Sequence, residues 1–234
     1  MDRKVYLIAV AGGSGTRMGG PVPKQFMLLG GKPILRLTIE KFIEACPGIK
    51  VVTVLPSEHI GWWRNYCAEH NFTCPQTLVE GGFTRFHSVK AALSKVPDGA
   101  VVMIHDGVRP FLSKGLIQKM LSLVPQTHGV IPVMPSTDTL KLLDKGPDGT
   151  LVPVEGETPD RSRIFGAQTP QVFRSEDIKA AYTQPYSQSF TDDESVARGI
   201  KIPLAFVEGE RFNIKITTPE DLVLAQALLP LLPE

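Results

Sequence analysis

Apolar runs of strand length recur at residues 5–11, 49–55, 100–105 and 130–133, and stretches of helical length separate them. A chain with this alternation has few ways to bury its apolar runs. A parallel sheet flanked by crossover helices is the expected solution, which places the chain in the α/β class. In the first intervening stretch Leu35, Ile39, Phe42, Ile43 and Cys46 recur at helical spacing, and Pro47-Gly48 ends the pattern. Further helices are expected over 58–69, 84–95 and 116–124. Near the end, Thr218-Pro219-Glu220-Asp221 combines a capping hydroxyl, a proline at the first helical position and acids in the first turn. A last helix should therefore run to about residue 229, before Pro230.

The segment 139–154 breaks this rhythm. Residues 140–144 and 150–154 flank the turn-rich Lys145-Gly146-Pro147-Asp148-Gly149, the pattern of a β-hairpin. A lone two-stranded hairpin is marginal in water, and this one carries Leu140, Leu142, Leu143, Leu151 and Val152. It is expected to pack on another surface, with a partner subunit as one candidate. For 234 residues the expectation is one domain over 1–234, with 139–154 as a projecting arm for dimerisation.

Charge and cysteine usage narrow the function classes. Lys plus Arg number 25 against 24 Asp plus Glu, which gives no reason to expect a nucleic-acid or anionic-membrane partner. Cys46, Cys67 and Cys74 form no CxxC pair and are odd in number, so neither a disulfide framework nor a cysteine zinc site is expected. Run 5–11 is too short to span a bilayer and passes directly into glycines, so it reads as a buried first strand and a cytoplasmic location is expected. Of the adjacent Trp62 and Trp63, one should pack inward and the other lie partly exposed.

The first run empties into Ala11-Gly12-Gly13-Ser14-Gly15-Thr16-Arg17-Met18-Gly19-Gly20, followed by Pro23-Lys24-Gln25. Glycines let backbone N–H groups approach a polyphosphate, and Arg17 and Lys24 supply neutralising charge. A P-loop is excluded, because Gly31-Lys32 is followed by Pro33 where Ser or Thr is required. The dinucleotide fingerprint also fails: Met18 stands at its third small position, and Leu55-Pro56-Ser57 lacks the ribose-binding acid. A generic turn would need the glycines but not the adjacent cations.

This loop with its PKQF segment resembles the nucleotidyltransferases that make CDP-linked alcohols, and most closely the 2-C-methyl-D-erythritol 4-phosphate cytidylyltransferase family. Later segments in the same order carry the resemblance: Gly81-Gly82-Phe83-Thr84-Arg85 with Ser88, His105-Asp106-Gly107-Val108-Arg109-Pro110, Gln168-Thr169-Pro170-Gln171, Thr191-Asp192-Asp193-Glu194 and Asn213-Ile214-Lys215-Ile216-Thr217. The resemblance implies a Rossmann-like three-layer nucleotidyltransferase fold and transfer of CMP from CTP to a small sugar-alcohol phosphate. It assigns Arg17, Lys24 and Lys215 to catalysis. Ala11, Gly12, Gly13, Ser14, Gly15, Gly81, Gly82, Ser88 and Asp106 are assigned to the nucleotide, with Asp106 also holding Mg2+. Arg109, Arg161, Thr169 and Thr191 are assigned to the acceptor phosphate, Arg161 acting across a homodimer through the hairpin arm.

Residue chemistry agrees with these roles. Nucleotidyl transfer depends on positioning and charge neutralisation, which several cations around one anionic centre can supply. An acid after an apolar strand stands where open α/β sheets bind ligands, although a turn-forming Asp before Gly107 is the plainer reading. Lys215 taken alone reads as a strand residue reaching solvent, Thr191 as a helix cap, Thr169 as a turn residue and Arg161 as a surface side chain. His105 reads as a structural histidine. Two departures stand out: Phe83 and Phe212 occupy positions where relatives carry acids. The same loop and basic residues also resemble ribitol-5-phosphate cytidylyltransferases, and an inactive CTP-binding regulator is the alternative outside enzymology. The 191–195 segment favours the methylerythritol enzymes.

Overall fold

The computed structural model describes residues 3–13, 22–154 and 158–231. The first half contains strands β1 (Val5–Val10), β2 (Leu28–Leu29) and β3 (Lys32–Pro33), helix α1 (Ile34–Ala45), β4 (Lys50–Leu55), α2 (Ser57–Glu69), β5 (Gln76–Glu80), α3 (Arg85–Leu93) and β6 (Val101–Asp106). Then follow α4 (Lys114–Leu123), β7 (Gly129–Pro135), β8 (Leu143–Lys145), β9 (Leu151–Pro153), β10 (Phe165–Ala167) and β11 (Gln171–Arg174). The described chain closes with α5 (Ser175–Ala181), α6 (Asp193–Gly199), β12 (Leu204–Glu208) and α7 (Pro219–Leu228).

Eight strands form one sheet in the order β10-β7-β11-β6-β1-β4-β5, with β12 on β7. The pairs β1–β4, β1–β6, β4–β5 and β12–β7 are parallel, and β11 inserts antiparallel between β6 and β7. β10 is also reversed against β7. Strand alternation sends Leu7 and Ala9 into one core and Ile8 into the other. The first core packs residues of α1, α2 and α4, and the second packs residues of α3, α5 and α6. This is the expected three-layer α/β arrangement.

The four expected apolar strands are β1, β4, β6 and β7. The expected helices are α1 to α4 and α7, with ends shifted by a few residues. Thr218 and Asp221 form a capping box on α7, with Pro219 inside the first turn. Trp63 is fully buried and Trp62 is 44% exposed, so the pair divides as expected. The hairpin forms, but β8 and β9 pair only over Leu143–Lys145 and Leu151–Pro153, fewer residues than the sequence pattern suggested. All six paired residues are exposed. Uncovered by any of the described residues, only the part next to the turn keeps ladder geometry.

Candidate active site

Where β1, β5 and β6 end, the chain turns over the carboxyl edge of the sheet and encloses a cleft of about 300 Å³. Its floor depends on close backbone contact. A side chain at Gly12 would meet the Gly81 Cα at 3.4 Å and Ser88 Oγ at 3.4 Å. The Gly82 N–H donates to Ser88 Oγ at 3.0 Å, while Thr84 caps α3 beneath it. Gln25 secures the other wall. Its buried amide donates to the carbonyls of Ala11 at 2.9 Å and Gly13 at 3.2 Å, tying the PKQF segment to the glycine-rich turn. Ser14, Gly15 and Arg17 lie outside the described residues.

Asp106 ends β6 at the centre of the cleft and is 6% exposed. Lys215 Nζ lies 3.0 Å from its Oδ2, Arg109 Nε 3.1 Å from the same oxygen, and Arg85 Nε 3.7 Å from Oδ1. Burial opposes ionisation of this carboxyl, but Arg85, Lys215 and Arg109 together hold it well below the usual carboxylate range. Lys24 lines the same cleft. With Arg85 paired to Asp193, Lys215 and Arg109 still outweigh Asp106 among the described residues and leave local positive charge. A polyphosphate is the matching ligand class.

Behind Asp106 runs a neutral relay. The Asp106 N–H donates to Thr169 Oγ1 at 3.1 Å, and His105 Nδ1 lies 3.0 Å from that oxygen. His105 Nε2 is 3.0 Å from the Arg109 carbonyl, which can only accept, so the ring proton sits on Nε2 and Nδ1 accepts from Thr169. Burial pushes the His105 pKa down to about 4, in keeping with a neutral ring. His105 is therefore a structural histidine.

Of the four residues that the resemblance assigns to the acceptor, Arg109 and Thr169 meet at Asp106, whereas Thr191 and Arg161 make no hydrogen bond or ion pair with it among the described residues. Arg109 binds Asp106 and also donates to the Asn213 carbonyl at 2.8 Å. The Thr169 hydroxyl spends its only proton on His105. Thr191 is exposed, and the cap of α6 is Asp192 rather than Thr191. Arg161 lies at the base of the arm, where its Nη1 donates to the Thr137 carbonyl at 3.2 Å. Phe83 lines the cleft with its side chain fully exposed, and Phe212 is 52% exposed. Two residues left without roles at the level of sequence, Arg85 and Gln25, prove central. Both sit inside quoted motifs, yet their partners lie 108 residues away for Arg85 and Asp193, and 12 and 14 for Gln25.

A sequence model described as IspD, 2-C-methyl-D-erythritol 4-phosphate cytidylyltransferase, matches residues 5–230. A protein of that name from Bacteroides thetaiotaomicron is 43% identical over 227 residues, covering 97% of this chain and all of the relative. Among solved structures, the Francisella tularensis 2-C-methyl-D-erythritol 4-phosphate cytidylyltransferase superposes with a TM-score of 0.78 at 31% identity, covering 97% of this chain and 100% of that one. The 4-diphosphocytidyl-2C-methyl-D-erythritol synthase of Anaerococcus prevotii gives 0.79 at 28% identity, covering 97% and 96%. These relatives are named for the methylerythritol acceptor and not for ribitol phosphate. With a match along nearly its whole length and a buried acid ringed by cations at the expected motifs, the chain belongs to the 2-C-methyl-D-erythritol 4-phosphate cytidylyltransferase family.

Proposed function

We propose that the cleft binds CTP across the carboxyl ends of β1, β5 and β6 and transfers CMP to 2-C-methyl-D-erythritol 4-phosphate, a step of non-mevalonate isoprenoid precursor synthesis. The observation that carries this reading is the buried Asp106 beneath Lys215, Arg109 and Arg85, with Lys24 on the same wall. An oxygen of the acceptor phosphate attacks the α-phosphorus as its bond to the bridging oxygen breaks, and pyrophosphate leaves. Lys24, Lys215 and Arg17 offset the charge that develops on the transferring group. The glycine backbone at 12–13 and 81–82 accommodates the nucleotide closely, and Ser88 Oγ keeps its proton available after accepting from Gly82. The exposed Phe83 leaves backbone groups, not a carboxylate, to read the base at that position.

Asp106 is the carboxylate this cleft would offer Mg2+, and the ion would share it with Lys215, Arg109 and Arg85. Among the described residues no group of three or more His, Cys, Asp or Glu could hold a metal alone. Mg2+ ordinarily takes one or two carboxylates together with phosphate oxygens and water, and Asp106 offers one such carboxylate. When bound, the ion neutralises phosphate charge.

The acceptor site is completed by a second subunit in this reading. The exposed arm carries Leu142, Leu143, Leu151 and Val152, and docking on a symmetry mate would bring Arg161 to the partner's cleft. A cytoplasmic location belongs to the same reading. Among the described residues no helix is long and apolar enough to cross a membrane.

The test is pyrophosphate release with CTP and either methylerythritol phosphate or ribitol 5-phosphate. Turnover is expected with the first, with Mg2+ restoring activity lost to a chelator. A preference for ribitol phosphate would sink the acceptor assignment, and equal turnover with ATP would sink the base assignment.

A further inference from the structure

Arg85 opens α3 and faces two acids at once. Its guanidinium donates Nη1 to Asp193 Oδ1 at 2.8 Å and Nη2 to Asp193 Oδ2 at 2.6 Å, while Nε stands 3.7 Å from Asp106 Oδ1. Asp193 has no exposed surface and also accepts from the Tyr182 hydroxyl at 2.6 Å. The neighbouring residues are held from β11. Gln171, itself buried, donates to Asp192 Oδ2 at 2.7 Å and accepts from the Glu194 N–H at 2.7 Å. Asp192, which caps α6, and the first two residues of that helix are thus clamped from α3, from β11 and from Tyr182 just past α5.

A buried ion pair contributes little net stability relative to well-packed apolar residues of the same volume, because desolvation consumes the Coulombic gain. What the two-pronged Arg85–Asp193 contact supplies is a fixed distance and orientation. That contact joins the start of α6, two residues after Thr191, to the acid at the centre of the cleft.

We propose that Arg85 is a positioning residue of the transfer reaction, locking the 191–194 segment on the acceptor side to Asp106 on the nucleotide side so that the two phosphates meet in line. The inference rests on the proposed function, with the acceptor phosphate beside Thr191 as the family resemblance implies. A misplacement of about 1 Å is enough to lose much of the rate advantage of a prealigned pair.

The experiment compares Arg85→Gln, Arg85→Lys and Asp193→Asn by pyrophosphate release, varying each substrate, together with hydrogen exchange of the amides at 192–196. Loss of one charge-assisted contact should raise the acceptor KM on the order of tenfold and lower kcat in Arg85→Gln and Asp193→Asn, with the CTP KM within about threefold. Arg85→Lys keeps the charge but not the fork, so it should fold and show the same pattern more weakly. Exchange at 192–196 should accelerate in all three. A CTP KM that rises as much as the acceptor KM would make Arg85 a nucleotide ligand and overturn the proposal, as would unchanged exchange. If the unmodified protein releases no pyrophosphate, the functional reading falls, and exchange alone decides the tether: acceleration supports it and wild-type rates overturn it.

Discussion

The cleft around Asp106 and the arm over residues 139–154 are held in different ways. Asp106 is contacted by side chains from α3, from the turn after β6, from the segment before α7 and from the loop between β10 and β11. The bonds of the arm are local: Gly146 N–H to the Thr150 carbonyl at 2.8 Å, Val154 N–H to the Leu142 carbonyl at 3.1 Å, and Thr150 with Asp148 at its tip. Geometry at the cleft is determined many times over within one chain, as a preorganised transfer site requires. The arm's geometry is determined once, and its apolar side chains remain at the surface. Substitutions can therefore probe the cleft's geometry within one chain, whereas the arm's proposed role in a dimer needs two.

The largest expected effect lies in the cleft. Lys24→Ala and Lys215→Ala should each lower turnover on the order of 100-fold or more while the protein stays folded, as for other preorganised transition-state contacts. Steady-state pyrophosphate release with circular dichroism as the folding control checks this, and near-wild-type turnover would remove that lysine from the catalytic set.

The sharpest contrast comes from mixing chains. Arg161→Ala and Lys24→Ala proteins should each be nearly inactive, yet partly recover activity when subunits exchange, because one site of the mixed dimer then receives both intact residues. Demonstrated heterodimers without recovery would confine Arg161 to its own chain or exclude it from the site.

An acid-stability effect between about pH 4 and 6.5 should belong to the cleft. His105 has a pKa near 4 when folded, against an ordinary value of 6.5, so between these values the unfolded chain binds the proton more readily. Its contribution is complete above about pH 6.5 and is lost progressively down to about pH 4, with an upper magnitude of about 3 kcal/mol. Denaturant unfolding from pH 7 to 4 measures it, and a His105→Asn variant should lose that slope. An unchanged slope in the variant would count against the buried neutral histidine.

The smallest effects separate the two regions most directly. Gln25→Ala strips two carbonyls of their partner and should cost about 1–3 kcal/mol. Leu151→Ser, at a side chain 61% exposed, should leave an isolated subunit within about 0.5 kcal/mol of wild type. Its effect should instead be weaker self-association by sedimentation. Loss of subunit stability with unchanged association would refute the arm's assignment to a partner.

Much of the fold was legible in the amino-acid sequence, because β1, β4, β6 and β7 are continuous apolar runs and α1 and α7 carry periodicity or caps. β10, β11 and β12 were not, since they are short and their pairing depends on partners far along the chain. The cleft follows the same division. The glycine-rich turn, Lys24, Asp106 and Lys215 stood out through composition and resemblance. The resemblance assigns Thr169 to the acceptor, and only the fold revealed that its hydroxyl bridges Asp106 and His105.

The sequence by itself determined the alternation of strands and helices, the glycine-rich turn after the first strand and the set of charges available, because these depend on local periodicity and residue chemistry. Only the tertiary structure decided that Arg85 would join Asp193 to Asp106 and that Gln25 would brace the turn. Such contacts depend on distances between chain segments that approach one another only after the sheet has formed, and no local pattern encodes them.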